Sequence, residues 1–335
     1  MTTIPPVRAP LLAFLSLAAL VAPRARALDA ASGGSPQAPA VLPGDGLRHR
    51  DFLFTGQLDD TLIMVRGGKV VWSDRVPGAY GHVQEATILP GGNLLLAYMG
   101  GAKEITPEKQ VVWNYTAPKG AEVHTAKPIG RDKVLFVQNG SSTEVLLADK
   151  ASGKVERLFT VPVGDPAHVH LQTRRAVLTD AGTLLLARTD LNKVSEFYQG
   201  GREVWSAAVA RPWSVQRLAS GHTLVCSFEM FVRELDAQGA TVWEFAPRDF
   251  PGYAMPKWCV ATRLANGNTL VANNTPAPGP GDESLAPVQA FEVSPDKRIV
   301  WALRSWREPA LGPGWIIQYL DEPGPCGDRQ FGTIR

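Results

Sequence analysis

The sequence predicts an all-β protein, a single β-propeller of six four-stranded blades, and three observations carry that prediction. One hairpin phrase recurs along the 335-residue chain: ATILPGGNLLLA at 86–97, AVLTDAGTLLLA at 176–187, RLASGHTLVCS at 217–227 and ATRLANGNTLVANN at 261–274. AKPIGRDKVLFV at 126–137 is a divergent copy. Each phrase is an apolar strand, a tight turn such as Asn266–Gly267 and a second apolar strand, and such self-similarity marks a repeat architecture. The second observation is a later strand that ends in Val-Trp at Trp72, Trp113, Trp205, Trp243 and Trp301, with Arg157 in the same slot of GKVERLF. The spacings of 41, 44, 48, 38 and 58 residues are those of a four-stranded blade. The third lies at the two ends. The first repeat (DFLFTG, DTLIMVR, KVVWSD) has three strands, and GWIIQYL at 314–320 is left without a partner. Placed as the missing inner strand of the first blade, it closes the ring and removes the exposed edges. The alternative leaves 314–320 as an ordinary C-terminal strand beside an open or seven-bladed arrangement.

Taken in order, residues 1–27 read as a signal peptide: a basic start, the apolar run LLAFLSLAALVA, and Ala25 and Ala27 before the cut. That run falls short of the ~20 residues that span a bilayer. The expectation is export to the periplasm or beyond, with no membrane span after cleavage. Removal of Arg8, Arg24 and Arg26 takes the formal charge from +2 to −1. A near-neutral chain without a basic cluster offers no footprint for nucleic acid. Residues 28–48 are small and Pro/Gly-rich, a flexible lead; the propeller is expected over 49–322 and a C-terminal tail over 323–335. No helix is expected beyond the signal peptide. Of three cysteines, Cys226 and Cys259 either pair across consecutive repeats or stay as buried thiols, leaving Cys326 in the tail. The Pro/Gly-rich stretch 275–287 interrupts the sixth blade as a surface loop or lid. A monomer is expected.

The phrases RLASGHTLVCSFEMFVRELDAQGATVWEF and RLANGNTLVANN…FEVSPDKRIVW carry a resemblance. Over about residues 50–322 the chain resembles bacterial quinoprotein-like (PQQ-like) β-propeller repeat proteins, and it is similar to the propellers of arylsulfate sulfotransferases. The resemblance implies an exported propeller with a ligand-accessible central channel. Quinoprotein dehydrogenases themselves usually carry a vicinal cysteine pair, acidic calcium ligands and eight blades. This chain has no adjacent cysteines and no counterpart of those ligands, which argues against pyrroloquinoline quinone as a cofactor. The sulfotransferases use a channel histidine as nucleophile; their separate N-terminal β-domain is missing here.

Candidate chemistry gathers where the inner strands begin. There the sequence places His82, Gln84, His124, His168, His170, Gln172, Trp213, Gln216, Trp258, Trp315 and Gln318, including four of the six histidines. Imidazoles are ligands for divalent transition metals and titrate near neutral pH. His82, His124 and His170 are therefore the candidate metal ligands and catalytic groups, with amides and tryptophans around them to hold a small molecule, glycan or protein. His49 and His222 are expected in solvent. Arg174, Arg175, Arg211 and Arg217 could meet an anion, but strict alternation allows only one of Arg174 and Arg175 to face the channel. The expected function is ligand or partner binding at the top of the channel. The alternatives are a metal-assisted lyase or hydrolase and, behind it, a sulfotransferase-like enzyme.

Overall fold

The computed structural model describes residues 39, 41–56, 60–76, 82–250, 252–253, 257–275, 287–322 and 329–335. Of the two compact units, Met1–Ser35 and Pro36–Arg335, the second holds everything described below. The expected signal peptide, most of the expected lead, residues 276–286 of the expected surface loop and Cys326 lie outside the described residues.

The described chain forms six antiparallel four-stranded sheets and, besides them, only single-turn 3-10 helices. No described helix is long and apolar enough to cross a membrane. The inner strands of blades 2 to 6 are Val83–Ile88, Glu122–Ile129, Thr173–Leu178, Pro212–Arg217 and Trp258–Arg263. Blade 1 takes its inner strand from the far end of the chain, as Gly314–Tyr319 pairs antiparallel with Phe52–Gly56. The ring is thus six-bladed and closed by the C-terminal strand, as the repeat count predicts.

The recurring phrases have structural causes. In the hairpin turns Gly92, Gly182, Gly221 and Gly267 adopt φ of +89°, +72°, +86° and +87°, a region side-chain-bearing residues avoid. Beside the turn a glutamate of the third strand takes a hydrogen bond from the turn residue: Asn93 to Glu104, His222 to Glu234, Asn268 to Glu292. The same glutamates reach into the following blade, to Lys150, Arg263 and Tyr319. Four of the five Val-Trp tryptophans do likewise. The indole N–H of Trp72 donates to Pro107 O, Trp205 to Ala237 O, Trp243 to Pro295 O and Trp301 to Gly46 O, at 2.7 to 2.8 Å. In each case the carbonyl lies beyond its own blade, so the repeat encodes a blade-to-blade clasp.

Between neighbouring blades lie six apolar clusters, for example Leu135, Val137, Leu184 and Leu186 between blades 3 and 4. Each side chain of this kind that is fully buried contributes about 1.5–3 kcal/mol. Part of the expected flexible lead is built into the fold. Leu42 and Leu47 pack on these clusters, and Pro43 O accepts from Ala302 N. His49 is also not a solvated group: it stacks on Trp301 and bonds Glu292. The end of the tail docks as well, with Phe331 buried between blades 3 and 4. Cys226 and Cys259 are separate buried thiols.

Candidate functional site

One irregularity, repeated in all six blades, builds the site. Near its start every inner strand carries one residue more than its partner. Val83 faces Tyr98 but Glu85 faces Ala97, and the same slip occurs after Val123, Thr173, Pro212 and Trp258 and between Gly314 and Ile316. Such a bulge breaks the two-residue alternation and re-aims a side chain. The residues at this position are Gln84, His124, Arg174, Trp213, Cys259 and Trp315, each two positions before a repeated apolar residue (Ala86, Ala126, Ala176, Val215, Ala261, Ile317). All six are 3 % exposed or less. They form one ring across the channel, polar on blades 2 to 4 and otherwise apolar, with Trp213, Cys259 and Trp315 in mutual contact.

Arg174 holds the ring together. Its guanidinium lies 3.7 Å from the Trp213 ring centre and 5.7 Å from that of Trp315. Nη2 donates to Gln84 Oε1 at 2.8 Å, and Nη1 donates to His170 O at 2.8 Å. Nη1 also lies 3.2 Å from both His124 Nδ1 and His170 Nε2. Strict alternation, which allows only one inward arginine, is broken here because Arg174 is the bulged residue. Arg175 resumes the register and is buried one layer below, 3.1 Å from Glu85.

On the solvent side of Arg174 stands a residue the sequence reading passed over, Glu122. Its Oε2 is 2.7 Å from His124 Nε2 and 2.8 Å from His170 Nδ1. These three donor atoms all lie within 4.8 Å of one another, a grouping able to hold a metal ion. Burial alone would raise the Glu122 carboxyl, but the hydrogen bonds from the two imidazoles bring it down to about 2. Burial, reinforced by Arg174, pushes His124 down to about 3, so its imidazole is neutral at physiological pH. Burial also lowers Arg174 to about 9, which leaves it a cation near pH 7. The His170 side chain is 44 % exposed and presents the set to solvent.

The remaining candidates stand elsewhere. His82 is spent on Asp60, 3.2 Å away, so Glu122 takes the third place expected of it. His168 is a surface partner of Asp165. The Gln172 amide clamps Gly140 through both its N–H and its C=O. Gln216 clamps the Arg263 backbone between blades 5 and 6. Trp258 precedes the bulge and packs among Phe245, Phe250 and Phe291, away from the ring. Gln318 lines the channel lower down. Arg211 pairs with Glu229 and Arg217 with Glu196. His222 is bonded to Glu234 and not free in solvent. Aligning the repeats on the apolar residue puts all six ring members in one column two places before it, but only the bulge turns that column toward the channel.

No protein-family model matches the chain, and no curated protein matches its sequence. Among solved structures, it is similar to a protein of unknown function from Bacteroides caccae, with 21 % identity and a TM-score of 0.68 over 80 % of this chain and 97 % of that one. It is also similar to a streptogramin B lyase (12 % identity, TM-score 0.54, 82 % and 85 % covered). A third is an inactive histidine-to-alanine variant of Staphylococcus aureus virginiamycin B lyase with quinupristin (11 %, 0.52, 79 % and 87 %). At these identities the likeness is one of fold, the β-propeller.

Proposed function

We propose that the exported protein binds a small oxyanion-bearing molecule at the top of its channel and, with a divalent transition metal held by Glu122, His124 and His170, acts on it as a lyase or hydrolase. The observation that carries this reading is the convergence of one carboxylate and two imidazoles within 4.8 Å, beside a buried guanidinium. The donor set fits the ion: neutral imidazole and anionic carboxylate are the forms that bind metal. His124 Nδ1 lies 3.1 Å from Thr173 O, the kind of outer partner that fixes a ligating ring. Three protein donors leave positions open, as in catalytic sites. A metal so held would supply Lewis acidity toward a carbonyl or carboxylate oxygen.

The residues around it bind and orient. Arg174, pinned by Gln84 and Trp213, directs its charge toward an anionic group on the substrate. The inactive histidine variant of virginiamycin B lyase is a precedent for a histidine-dependent lyase on this kind of scaffold.

A second reading is a metal-free binding site. With each imidazole donating to Glu122, His124 Nδ1 accepting from Arg174 Nη1 and the His170 Nε2 edge facing solvent, the network is satisfied without an ion. The test is turnover by residues 28–335 loaded with zinc, manganese or iron, against carboxylate esters and uronic-acid glycans. Metal-dependent product formation that is lost in Glu122→Gln is the expected result. Turnover of an aryl sulfate without metal would replace this reading with sulfuryl transfer, and tight binding without turnover would leave the second. Recovery of the protein in cytoplasmic fractions with residues 1–27 intact would contradict export.

A further inference from the structure

The Val-Trp pattern has one exception. Each cluster between neighbouring blades holds the tryptophan of its first blade (Trp72, Trp113, Trp205, Trp243 or Trp301) save the one between blades 3 and 4. Blade 3 has no tryptophan, and its Arg157 turns outward, 61 % exposed and bonded to Glu144. That seam takes its aromatic ring from the far end of the chain. Phe331 is fully buried there, its ring centre 6.1 Å from that of Phe159, and Ile334 packs beside it.

The tail is shaped to this slot. Phe331 and Ile334 exchange backbone hydrogen bonds at 3.0 and 2.9 Å across a two-residue turn, Gly332–Thr333, whose glycine has φ +57°. Gly332 N donates to Gly182 O at 2.8 Å, Arg329 Nη1 donates to Leu178 O, and Thr333 N and Oγ1 donate to Gln199 Oε1 at 2.9 and 3.1 Å. Gln199 is the turn residue corresponding to Pro107, Ala237 and Pro295, whose carbonyls receive the indole N–H at other seams. The tail thus grips the turn of the next blade that a tryptophan would grip. The same seam is straddled by the metal set. Glu122 and His124 begin the inner strand of blade 3 and His170 lies just before that of blade 4, with 2.8 Å between Glu122 Oε2 and His170 Nδ1.

We propose that the slot between blades 3 and 4 is a peptide-binding site whose occupant is the chain's own segment 329–335, a detachable clasp that holds the two blades together beneath the Glu122 set. With one phenyl ring as its main anchor, such a segment opens at far lower cost than a blade. A linear segment in a preformed slot also exchanges with the same sequence added in trans, and tethering gives the chain's own copy the advantage. The slot and its occupant are independent of the metal reading; the effect of the clasp on metal affinity rests on that reading.

Two variants of residues 28–335 release the clasp. Phe331→Ala empties the slot, and in Gly332→Val the added Cβ meets Gln199 Cβ at 2.7 Å. Each should lower the thermal midpoint by about 5–10 °C. A synthetic peptide of residues 329–335, titrated calorimetrically, should bind both variants about tenfold or more tightly than the native chain, whose own tail competes. The same peptide carrying Phe331→Ala should bind neither. Zinc affinity should fall about tenfold in the variants and return when the peptide is added. A native chain that takes up no zinc would sink the metal reading and leave the clasp to be decided by the peptide. Unchanged midpoints, no binding of the peptide to either variant, or equal binding of the Phe331→Ala peptide would overturn the clasp. Equal zinc affinity in the native and released chains would overturn its hold on the site.

Discussion

Arg174 shows how much one residue's setting decides. Its guanidinium is stacked on an indole and forked between an amide and two imidazoles, a planar geometry that lysine cannot reproduce. Arg174→Lys is therefore expected to keep bound metal but weaken an oxyanion ligand about tenfold, read by metal analysis and titration together. One layer down, Glu85 gives a pH prediction. Burial would raise its pKa, but Lys127 and Arg175 outweigh burial and hold it below the ordinary 4.5. Its stabilising contribution is thus fully present above about 4.5 and is lost as pH falls through the lower folded value. Glu85→Gln should cost about 3–5 kcal/mol at pH 7, and the gap to the native chain should narrow below pH 4.5 in urea titrations. His124 and His170 were legible because histidines are few and fell at strand starts. Arg174 was not, since alternation allowed only one of Arg174 and Arg175 to face the channel and could not say which, and Glu122 drew no notice as a lone acid at the edge of a strand.

At the scale of elements, the repeats carried the hairpins, the turns and the Val-Trp strands into view because each has a local cause. The turn needs a left-handed glycine, and the tryptophan needs a carbonyl beyond its blade to receive its N–H. Trp301→Phe keeps most of the buried ring but loses the bond to Gly46 O, and should cost about 0.5–1.5 kcal/mol by denaturant unfolding. Trp301→Ala should cost more, about 3–5 kcal/mol. The bulges were hidden. A bulge is a difference of one residue between two paired strands, and it becomes visible only when the register of both is known. Trp258, one position before the bulge in blade 6, was accordingly placed in the channel when it belongs to an aromatic cluster between blades 5 and 6.

For the whole molecule, closure by the C-terminal strand makes the ends of the chain mutually dependent. Residues 314–319 complete blade 1 and bring Trp315 to Arg174, so truncation before Gly314 removes a strand and one wall of the ring at once. The truncated chain should lose its cooperative thermal transition and aggregate, judged by calorimetry and size-exclusion chromatography, because blade 1 would be left with an unpaired inner edge. The ring count was readable from the sequence since strand arithmetic at the two ends favours six blades over an open or seven-bladed arrangement. Which side chains meet at the axis depends on six separate bulges acting together.

Elemental analysis of residues 28–335, prepared without affinity tag or chelator, is the direct test of the metal site. Close to one transition metal per chain is expected, lost in Glu122→Ala and in His124→Ala and retained in His82→Ala. Protein that takes up no metal after incubation with zinc, manganese and iron, or that loses it only with His82, would contradict it.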